Sequence, residues 1–221
     1  GDFAPVEVVR GAILGSKLHD VDVILVGDAD KIKQCLPSSL PCDRVTIRHA
    51  SEVIEMHEQV DSVRTKKDAS IVVAATLVKE GEADAMVSMG NTAAAMAAAT
   101  LRLGRIRGID RPAIATFLPN KANRVTVMLD AGAVVDYTPE ILAQFALMGS
   151  VYCEKVLGVV KPRVGLLSIG EEKTKGNELT RRTYDMLIGS RLNFIGNVEG
   201  RDLFSGAVDV MVADGFVGNV A

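Results

Sequence analysis

The stretch that decides the fold class runs from residue 163 to residue 198 and reads RVGLLSIGEEKTKGNELTRRTYDMLIGSRLNFIGNV. Its opening run, residues 163–169, is apolar and typical of a buried strand, and residues 192–196 form a second such run. Between them, residues 178–188 have the spacing of a helix. A strand, a helix and another strand in this order predict a parallel pair with a helical crossover.

The same alternation extends outward over the rest of the chain. We predict further strands over residues 21–26, 44–49, 83–88, 113–118, 124–129 and 208–213, and helices over residues 5–18, 69–79, 92–101 and 139–156. Strands that alternate with helices predict an α/β fold with a mainly parallel sheet that is covered on both faces. Neither repeats nor a Ser- or Pro-rich linker divide the sequence, so we predict a single domain spanning residues 1–221.

Composition restricts the functional classes. The chain has 221 residues with 25 Lys and Arg against 28 Asp and Glu, a net charge of −3, so we expect no overall basic field that would attract nucleic acid. Three cysteines, Cys35, Cys42 and Cys153, are an odd and sparse set that favours a reducing compartment. The longest uncharged run, residues 85–101, falls short of a membrane span. We therefore expect a cytoplasmic globular protein.

Glycine and polar residues follow five of the predicted strands, at residues 89–92, 130–133, 170–177, 197–200 and 214–215. The carboxyl ends of parallel strands meet at one edge of a sheet, where open α/β proteins bind ligands. Gly90, Asn91 and Thr92 open a predicted helix and are candidates for a phosphate cradle. Lys173 and Lys175 would add positive charge to the same edge.

Each of these features also has a plainer interpretation. Gly-Asn-Thr before a helix is often only an N-cap, and two lysines are often only surface charges. Five such turns on one edge nevertheless favour a ligand site. The histidines are scattered without zinc-like spacing to a cysteine, so we predict no metal site and no cofactor. The sequence also lacks a Gly-x-Ser-x-Gly elbow, a Walker loop and a Gly-x-Gly-x-x-Gly fingerprint, which disfavours triad hydrolases, NTPases and dinucleotide enzymes.

A series of short motifs occurs in order along the chain: GDxAP at 1–5, VRxKK at 63–67, SxGNT at 88–92, GIDRPA at 108–113, LDxGA at 129–133, MGSVY at 148–152, PRVGLL at 162–167, KGNE at 175–178, NFIGNVE at 193–199 and DGFxGNV at 214–220. Over essentially the whole chain this series resembles the PlsX-type phosphate acyltransferases of bacterial phospholipid synthesis.

The resemblance implies a fold and a reaction. The fold is the three-layer α/β/α sandwich shared with isocitrate dehydrogenase-like proteins and phosphotransacetylases. In the reaction, inorganic phosphate attacks the thioester of a long-chain acyl–acyl carrier protein and yields acyl phosphate and free carrier protein. The acyl phosphate then feeds a downstream glycerol-3-phosphate acyltransferase. Members of the family are homodimers that associate peripherally with the membrane, largely through helices that this sequence lacks.

The resemblance and the chemistry of the reaction together nominate three sets of residues. The candidates for catalysis are Asp130, Lys175, Asn177, Asn197, Glu199 and Asp214. The candidates for binding phosphate are Gly90, Asn91, Thr92, Lys173, Gly215 and Asn219. Carrier proteins are strongly acidic, so the candidates for docking one are Arg64, Lys66, Lys67, Arg102, Arg105 and Arg107.

The sequence departs from the family pattern at three positions. Phe3 stands where His is common, Ala93 where Gly often follows the Asn-Thr pair, and Val134 where the Asp-x-Gly-Ala motif usually continues with Asn. The family's opening strand and C-terminal third have no counterpart here, so we expect a portion of a longer protein.

Two rival functions stay open at this point. One is a phosphate acetyl- or butyryltransferase that uses coenzyme A in place of the carrier protein. The other is a non-catalytic module that binds phosphate or a metabolite on the same scaffold.

Overall fold

The computed structural model of the chain describes residues 3–37, 44–133 and 137–221. Cys42 and the departure at Val134 lie outside these residues. The chain divides into two compact units, Gly1–Arg105 and Ile106–Ala221. That the two units act as a single domain stays a prediction.

The first unit is built from helices around a short parallel sheet. Its elements are α1 (Val6–His19), β1 (Val23–Gly27), α2 (Ala29–Cys35), β2 (Val45–His49), α3 (Ser62–Thr65), α4 (Ser70–Glu80) and α5 (Thr92–Leu103). Strands β1 and β2 pair in parallel, with Val23 opposite Val45. The sequence did not predict α2, which begins because the Asp28 carboxylate accepts hydrogen bonds from the backbone N–H groups of Asp30 and Lys31. Cys35 is the last residue of this helix.

The predicted strand at 83–88 does not form. The N–H of Ala83 still bonds to the carbonyl of Leu77 at the end of α4, 3.3 Å away, but in the part of the chain that the structure describes no backbone ladder continues to residue 88. Met86 packs against the apolar residues that α4 and α5 share, while Val87 is 81% exposed. The apolar residues of this segment thus serve helix packing, because a strand needs a neighbouring backbone to pair with.

The second unit holds the larger sheet. Its elements are β3 (Ala115–Pro119), β4 (Val125–Leu129), α6 (Pro139–Lys155), β5 (Arg163–Leu167), α7 (Glu178–Ile188), β6 (Asn193–Val198), a short 3₁₀ helix (Gly200–Phe204), β7 (Val210–Val212) and α8 (Gly215–Val220). The sheet order is β3-β4-β7-β5-β6, and every pair is parallel except the one that β3 makes with β4. The α/β class with a mainly parallel sheet is therefore confirmed.

The two faces of this sheet carry separate apolar cores. Leu166 belongs to the cluster that includes Phe145 of α6 and Leu187 of α7. Leu167, the next residue, belongs to the cluster on the opposite face that includes Leu203 of the 3₁₀ helix. Alternation along β5 thus divides its side chains between the two layers, as it must in a strand that is covered on both sides.

An ion pair holds the amino end of this sheet. The Asp209 carboxylate accepts hydrogen bonds from the Nε and Nη2 atoms of Arg163 at 2.9 and 3.0 Å, and also from the backbone N–H of Arg163 at 2.9 Å. The Asp209 backbone accepts from Val127 N–H on β4. Burial alone would raise the pKa of Asp209, but the hydrogen bonds and charge of Arg163, with the charge of Arg124, outweigh burial and hold that pKa below its ordinary value.

Replacing this carboxylate tests how strongly the ion pair stabilises the second unit. In Asp209→Asn we expect the free energy of unfolding to fall by about 3 kcal/mol, because a buried hydrogen-bonded charge partner is removed. Since the folded-state pKa is lowered, the stabilisation is present above the unfolded pKa of about 4 and is lost as the pH falls through the folded value. Urea unfolding at pH 7 and at successively more acidic pH measures both effects.

The matched control is Asp185→Asn, which removes a carboxylate from an ion pair with Lys173 whose two side chains are 60% and 61% exposed. We expect that change to cost at most about 1 kcal/mol. Equal losses in the two variants, or a difference between wild type and Asp209→Asn that does not shrink in acid, would contradict this account.

Helix α8 begins directly after the turn that follows β7. Asp214 caps α8 by accepting from the N–H groups of Phe216 and Val217 at 3.0 and 2.9 Å. Gly218 is required by close approach, because a Cβ built there would lie 2.0 Å from the carbonyl oxygen of Asp130. Helix α8 therefore packs directly on the backbone that follows β4.

Gly218→Ala is expected to destabilise the second unit by about 1 to 3 kcal/mol, because the new methyl group collides with backbone that cannot rotate away. Gly15→Ala in α1 is the control, since a Cβ there has nothing within 4 Å. It should leave stability unchanged or raise it by up to about 1 kcal/mol, because alanine favours helix. Urea unfolding of the two variants measures these changes. An unchanged free energy of unfolding in Gly218→Ala would contradict the packing of α8.

Candidate functional site

Four of the five predicted turns lie at the carboxyl edge of the five-stranded sheet. Asp130 follows β4, residues 168–177 follow β5, Glu199 follows β6 and Asp214 follows β7. The fifth turn, residues 89–92, belongs to the first unit and follows no strand. The expectation that all five share one sheet edge was therefore wrong for this turn, because the strand that would have placed it there does not form.

Asp130 is fully buried and organises the turn between β4 and α6. Its Oδ1 atom accepts from Ile114 N–H at 2.8 Å, and its Oδ2 atom accepts from Ala133 N–H at 2.9 Å and from the Tyr137 hydroxyl at 2.5 Å. Both oxygens are thus engaged by donors of the same unit. This arrangement makes Asp130 a positioning residue for the turn.

The loop between β5 and α7 is shaped by Gly176 and Asn177. Asn177 caps α7, its side-chain oxygen accepting from the N–H of Thr180 at 2.9 Å and from the Thr180 hydroxyl at 2.7 Å. Gly176 has φ +92°, and a Cβ built on it would lie 2.4 Å from Thr180 Oγ1 and 2.8 Å from Ser168 Oγ. Only glycine fits there, so the backbone of the loop comes down onto the end of β5.

The two lysines of this loop differ in their surroundings. The Lys173 ammonium forms an ion pair with Asp185 at 2.8 Å and lies 5.7 Å from the centre of the Tyr184 ring, and the hydrogen bond to Asp185 raises its pKa. The side chain of Lys175 is exposed, and among the described residues its ammonium has no carboxylate partner. Lys175 is therefore the more available charge for an anion.

Asn197 lies on β6 beside this loop and is 6% exposed. Its Nδ2 atom donates to the carbonyl of Glu172 at 2.9 Å, while its Oδ1 atom is buried without a hydrogen-bond partner among the described residues. The same holds for Ser168 Oγ at the end of β5. Sequence analysis missed Ser168, because a serine after a strand carries no signal until the loop that covers it is known.

The remaining candidates at this edge mostly cap short segments. Glu199 and Asp202 form a reciprocal capping box on the 3₁₀ helix. Gly215 is buried in the first turn of α8, and the exposed Asn219 lies against Gly132, whose built Cβ would be 3.2 Å from Asn219 Oδ1. Asn219 thus brings an amide to the turn that Asp130 organises.

An open cleft of about 500 Å³ lies where the first turns of α6 and α7 meet. It is lined by Tyr137, Thr138, Pro139, Glu140, Asn177, Glu178, Leu179 and Arg182. The cleft connects the turn organised by Asp130, through Tyr137, to the cap residue Asn177. The sequence predicted both helices but not their adjacency, which depends on how they pack on the sheet.

In the first unit, Asn91 holds a loop in place. Its Oδ1 atom accepts from Ala94 N–H at 3.2 Å, as an N-cap of α5, and its Nδ2 atom donates to the carbonyl of Met56 at 3.3 Å. A Cβ built on Gly90, at φ +118°, would lie 3.1 Å from the Met56 sulfur. The hydroxyl-bearing side chain of Thr92 is exposed at the start of α5. The side chain of Asn91 is thus occupied with structure, and Thr92 is the open polar group.

The basic residues nominated for docking are not equivalent. Lys66 donates to Glu58 Oε1 at 2.5 Å and to the carbonyl of Val53 at 2.8 Å. The hydrogen bond from Lys66, together with those from the Glu55 backbone and Ser62, lowers the pKa of Glu58 to about 2. Lys66 therefore braces its own loop. Arg64 and Lys67 are exposed, Arg64 with 71% of its side chain. Arg102 lies in the last turn of α5, and Arg105 and Arg107 lie in the connection that follows the helix.

Comparisons with known proteins give matches that cover the whole chain. The sequence model of the family described as "Fatty acid synthesis protein" matches residues 1–221. A phosphate acyltransferase of Desulfitobacterium hafniense (strain Y51) is 56% identical over 222 residues, covering 100% of this chain and 66% of that protein. One of Pelotomaculum thermopropionicum is 56% identical over 221 residues, covering 100% of this chain and 64% of that protein. The chain thus spans about two thirds of the length of the curated relatives it matches.

Solved structures share the fold at low sequence identity. A phosphotransacetylase from Streptococcus pyogenes superposes with a TM-score of 0.70 at 19% identity, covering 98% of this chain and 77% of that one. A branched-chain phosphotransacylase from Enterococcus faecalis V583 gives a TM-score of 0.59 at 14% identity, covering 90% and 82%. Among the described helices, none is both long and apolar enough to cross a membrane.

The family match over residues 1–221 and the identity to named phosphate acyltransferases confirm the resemblance drawn from the ordered motifs. The chain belongs to the fatty acid synthesis protein family, whose curated relatives are phosphate acyltransferases.

Proposed function

We propose that the protein transfers the acyl group of a long-chain acyl–acyl carrier protein to inorganic phosphate, in phospholipid synthesis. The observation that carries the proposal is the loop between β5 and α7, where the exposed ammonium of Lys175, which has no carboxylate partner among the described residues, lies next to the capped start of a helix. Such a loop favours an anion. The names of the relatives support the same reaction.

The reaction requires the protein to position phosphate and the thioester and to stabilise the negative charge that develops. A phosphate oxygen attacks the thioester carbonyl carbon, the carbonyl oxygen becomes an oxyanion, and the C–S bond then breaks to release acyl phosphate. The proton that the phosphate carried goes to the departing sulfur, so the carrier protein leaves as a free thiol. Phosphate is itself the nucleophile, and the site has to hold it beside the carbonyl and stabilise the oxyanion.

The proposed roles follow the surroundings of each residue. Lys175 neutralises phosphate or the oxyanion, with Lys173 as a more distant charge. Asp130, Asn177, Glu199 and Asp214 position the turns that carry the donors, and Gly215, Asn219 and Asn197 complete the carboxyl edge. In the first unit, Gly90 and Thr92 offer phosphate-binding groups at the start of α5, and Asn91 holds them in place.

Surface features support the nature of the partners. An acidic carrier protein suits the exposed charges of Arg64 and Lys67, with Arg102, Arg105 and Arg107 as further docking residues. A long acyl chain suits the exposed apolar side chains of Met56, whose sulfur lies against Gly90, and of Met89, which precedes Gly90 in the sequence. We also propose a homodimer in the cytoplasm that contacts the membrane peripherally and passes acyl phosphate to a glycerol-3-phosphate acyltransferase.

Removing the Lys175 charge tests the reaction and the site together. In the full-length enzyme, Lys175→Met should lower the rate of phosphate-dependent thiol release from palmitoyl–carrier protein by about a hundredfold, since one preorganised charge at the oxyanion or phosphate is lost. Lys121→Met, in the turn between β3 and β4 at the opposite edge of the sheet, is the matched control and should keep wild-type activity.

Thiol release without any requirement for phosphate would overturn the proposed reaction. Wild-type activity in Lys175→Met would leave the reaction standing and remove Lys175 from the site. Thr92→Val then tests whether the start of α5 in the first unit binds phosphate. The change should leave the stability of the protein almost unaltered, because Thr92 is exposed and the cap on α5 is made by Asn91.

Charge reversal tests the docking of the carrier protein. Arg64→Glu combined with Lys67→Glu should raise the KM for palmitoyl–carrier protein about tenfold at low salt and flatten its dependence on ionic strength, while the KM for phosphate stays constant. Lys17→Glu combined with Lys79→Glu makes the same change of charge on α1 and the far end of α4. If both pairs raise the KM equally, net charge alone sets the affinity and the proposed docking residues are wrong.

A further inference from the structure

We propose that Asn197 and Ser168 bind the phosphate substrate and select hydrogen phosphate over fully ionised oxyanions such as sulfate. The inference rests on the proposed function, which makes phosphate a substrate, and adds the residues that recognise its proton. It starts from two buried polar atoms, Asn197 Oδ1 and Ser168 Oγ, that have no hydrogen-bond partner among the described residues.

Both atoms lie on one face of the sheet. Asn197 on β6 is the register partner of Leu166 on β5, and Ser168 is two residues beyond Leu166, so the three side chains share a face. Leu166 packs in the cluster with α6 and α7, which identifies the face. Ser168 Oγ is 2.8 Å from the position of a Cβ on Gly176. The pair therefore lies beneath the loop that carries Lys175.

The orientation of the Asn197 amide is fixed. Its Nδ2 atom donates to the carbonyl of Glu172 at 2.9 Å, and a carbonyl can only accept, so the buried Oδ1 atom has to accept from a donor on the other side. Leaving such an acceptor unpaired is costly, as is placing it against an oxygen that carries no hydrogen. A ligand that meets Asn197 Oδ1 favourably must bring an O–H or N–H group.

Hydrogen phosphate fits these demands and sulfate does not. At neutral pH inorganic phosphate retains at least one P–O–H group, which donates to Asn197 Oδ1, while an ionised oxygen accepts from the Ser168 hydroxyl. Sulfate has the same shape and no proton to donate. The Glu172 carboxylate adds to the preference, because its Oε2 atom and the Lys175 Cγ atom each lie 3.0 Å from the position of a Cβ on Gly170. A carboxylate near the lysine disfavours an anion without a proton.

Binding of the two anions to the full-length protein, measured by calorimetry without acyl substrate, tests the inference. Wild type should bind phosphate at least about thirtyfold more tightly than sulfate. In Asn197→Leu, which keeps the side-chain shape and removes the acceptor, this ratio should fall to within about threefold through a loss of phosphate affinity. Ser168→Ala should weaken both anions by about five- to tenfold and leave the ratio unchanged, because the hydroxyl donates to either anion.

Asn193→Leu is the matched control, since Asn193 lies on the same strand and its Nδ2 atom also donates to a backbone carbonyl, that of Lys161 at 3.0 Å. It should keep the wild-type ratio. A wild-type ratio near one, or a ratio that Asn197→Leu leaves intact, would overturn the inference and assign the pair to a buried water. Because the measurement needs no turnover, selective phosphate binding without thioester cleavage would refute the proposed reaction alone.

Discussion

The second unit depends on the ion pair between Arg163 and Asp209. Arg163 begins β5, Asp209 immediately precedes β7, and the backbone of Asp209 also bonds to β4. Asp209 thus links three neighbouring strands: its carboxylate bonds to Arg163 of β5, its backbone carbonyl bonds to Val127 of β4, and the residue itself leads directly into β7. In the parallel ladders Leu129 lies opposite Val212, and Val212 lies opposite Leu166, so the three strands end within one residue of each other. The turns at the carboxyl edge are therefore level with one another, which is the condition for a shared site.

At that edge, most of the polar groups hold loops in place and only a few stay open. Both carboxylate oxygens of Asp130 accept hydrogen bonds that hold its own turn, and the side-chain oxygen of Asn177 accepts the hydrogen bond that caps α7. Among the described residues, the groups that remain for a ligand include the Lys175 ammonium, Ser168 Oγ, Asn197 Oδ1 and the exposed amide of Asn219. This division suits a reaction in which the substrate supplies the nucleophile, because rigid turns keep the open groups at fixed positions.

Sequence reasoning succeeded where a local pattern has one structural meaning. The apolar runs of β5 and β6 and the helix over residues 178–188 follow from periodicity. It failed where the outcome depends on distant partners. Residues 83–88 have strand-like composition, but no strand among the described residues pairs with them. Helix α8 packs on the turn after β4 because Gly218 fits against the carbonyl of Asp130, 88 residues earlier. The open state of Asn197 Oδ1 is equally invisible in sequence, since it depends on a carbonyl 25 residues away.

The order of the strands has a consequence for how the chain folds as it is synthesised. Strand β7 is the last of the seven in the sequence, yet it lies in the centre of the larger sheet, where it separates β4 from β5. Neither of those strands can complete its hydrogen bonding until β7 has left the ribosome. Until then, the edges of β4 and β5 that will pair with β7 stay unpaired. The first unit, complete by Arg105, faces no such delay. Chaperone binding or aggregation therefore competes with folding mainly while the second unit is still being synthesised.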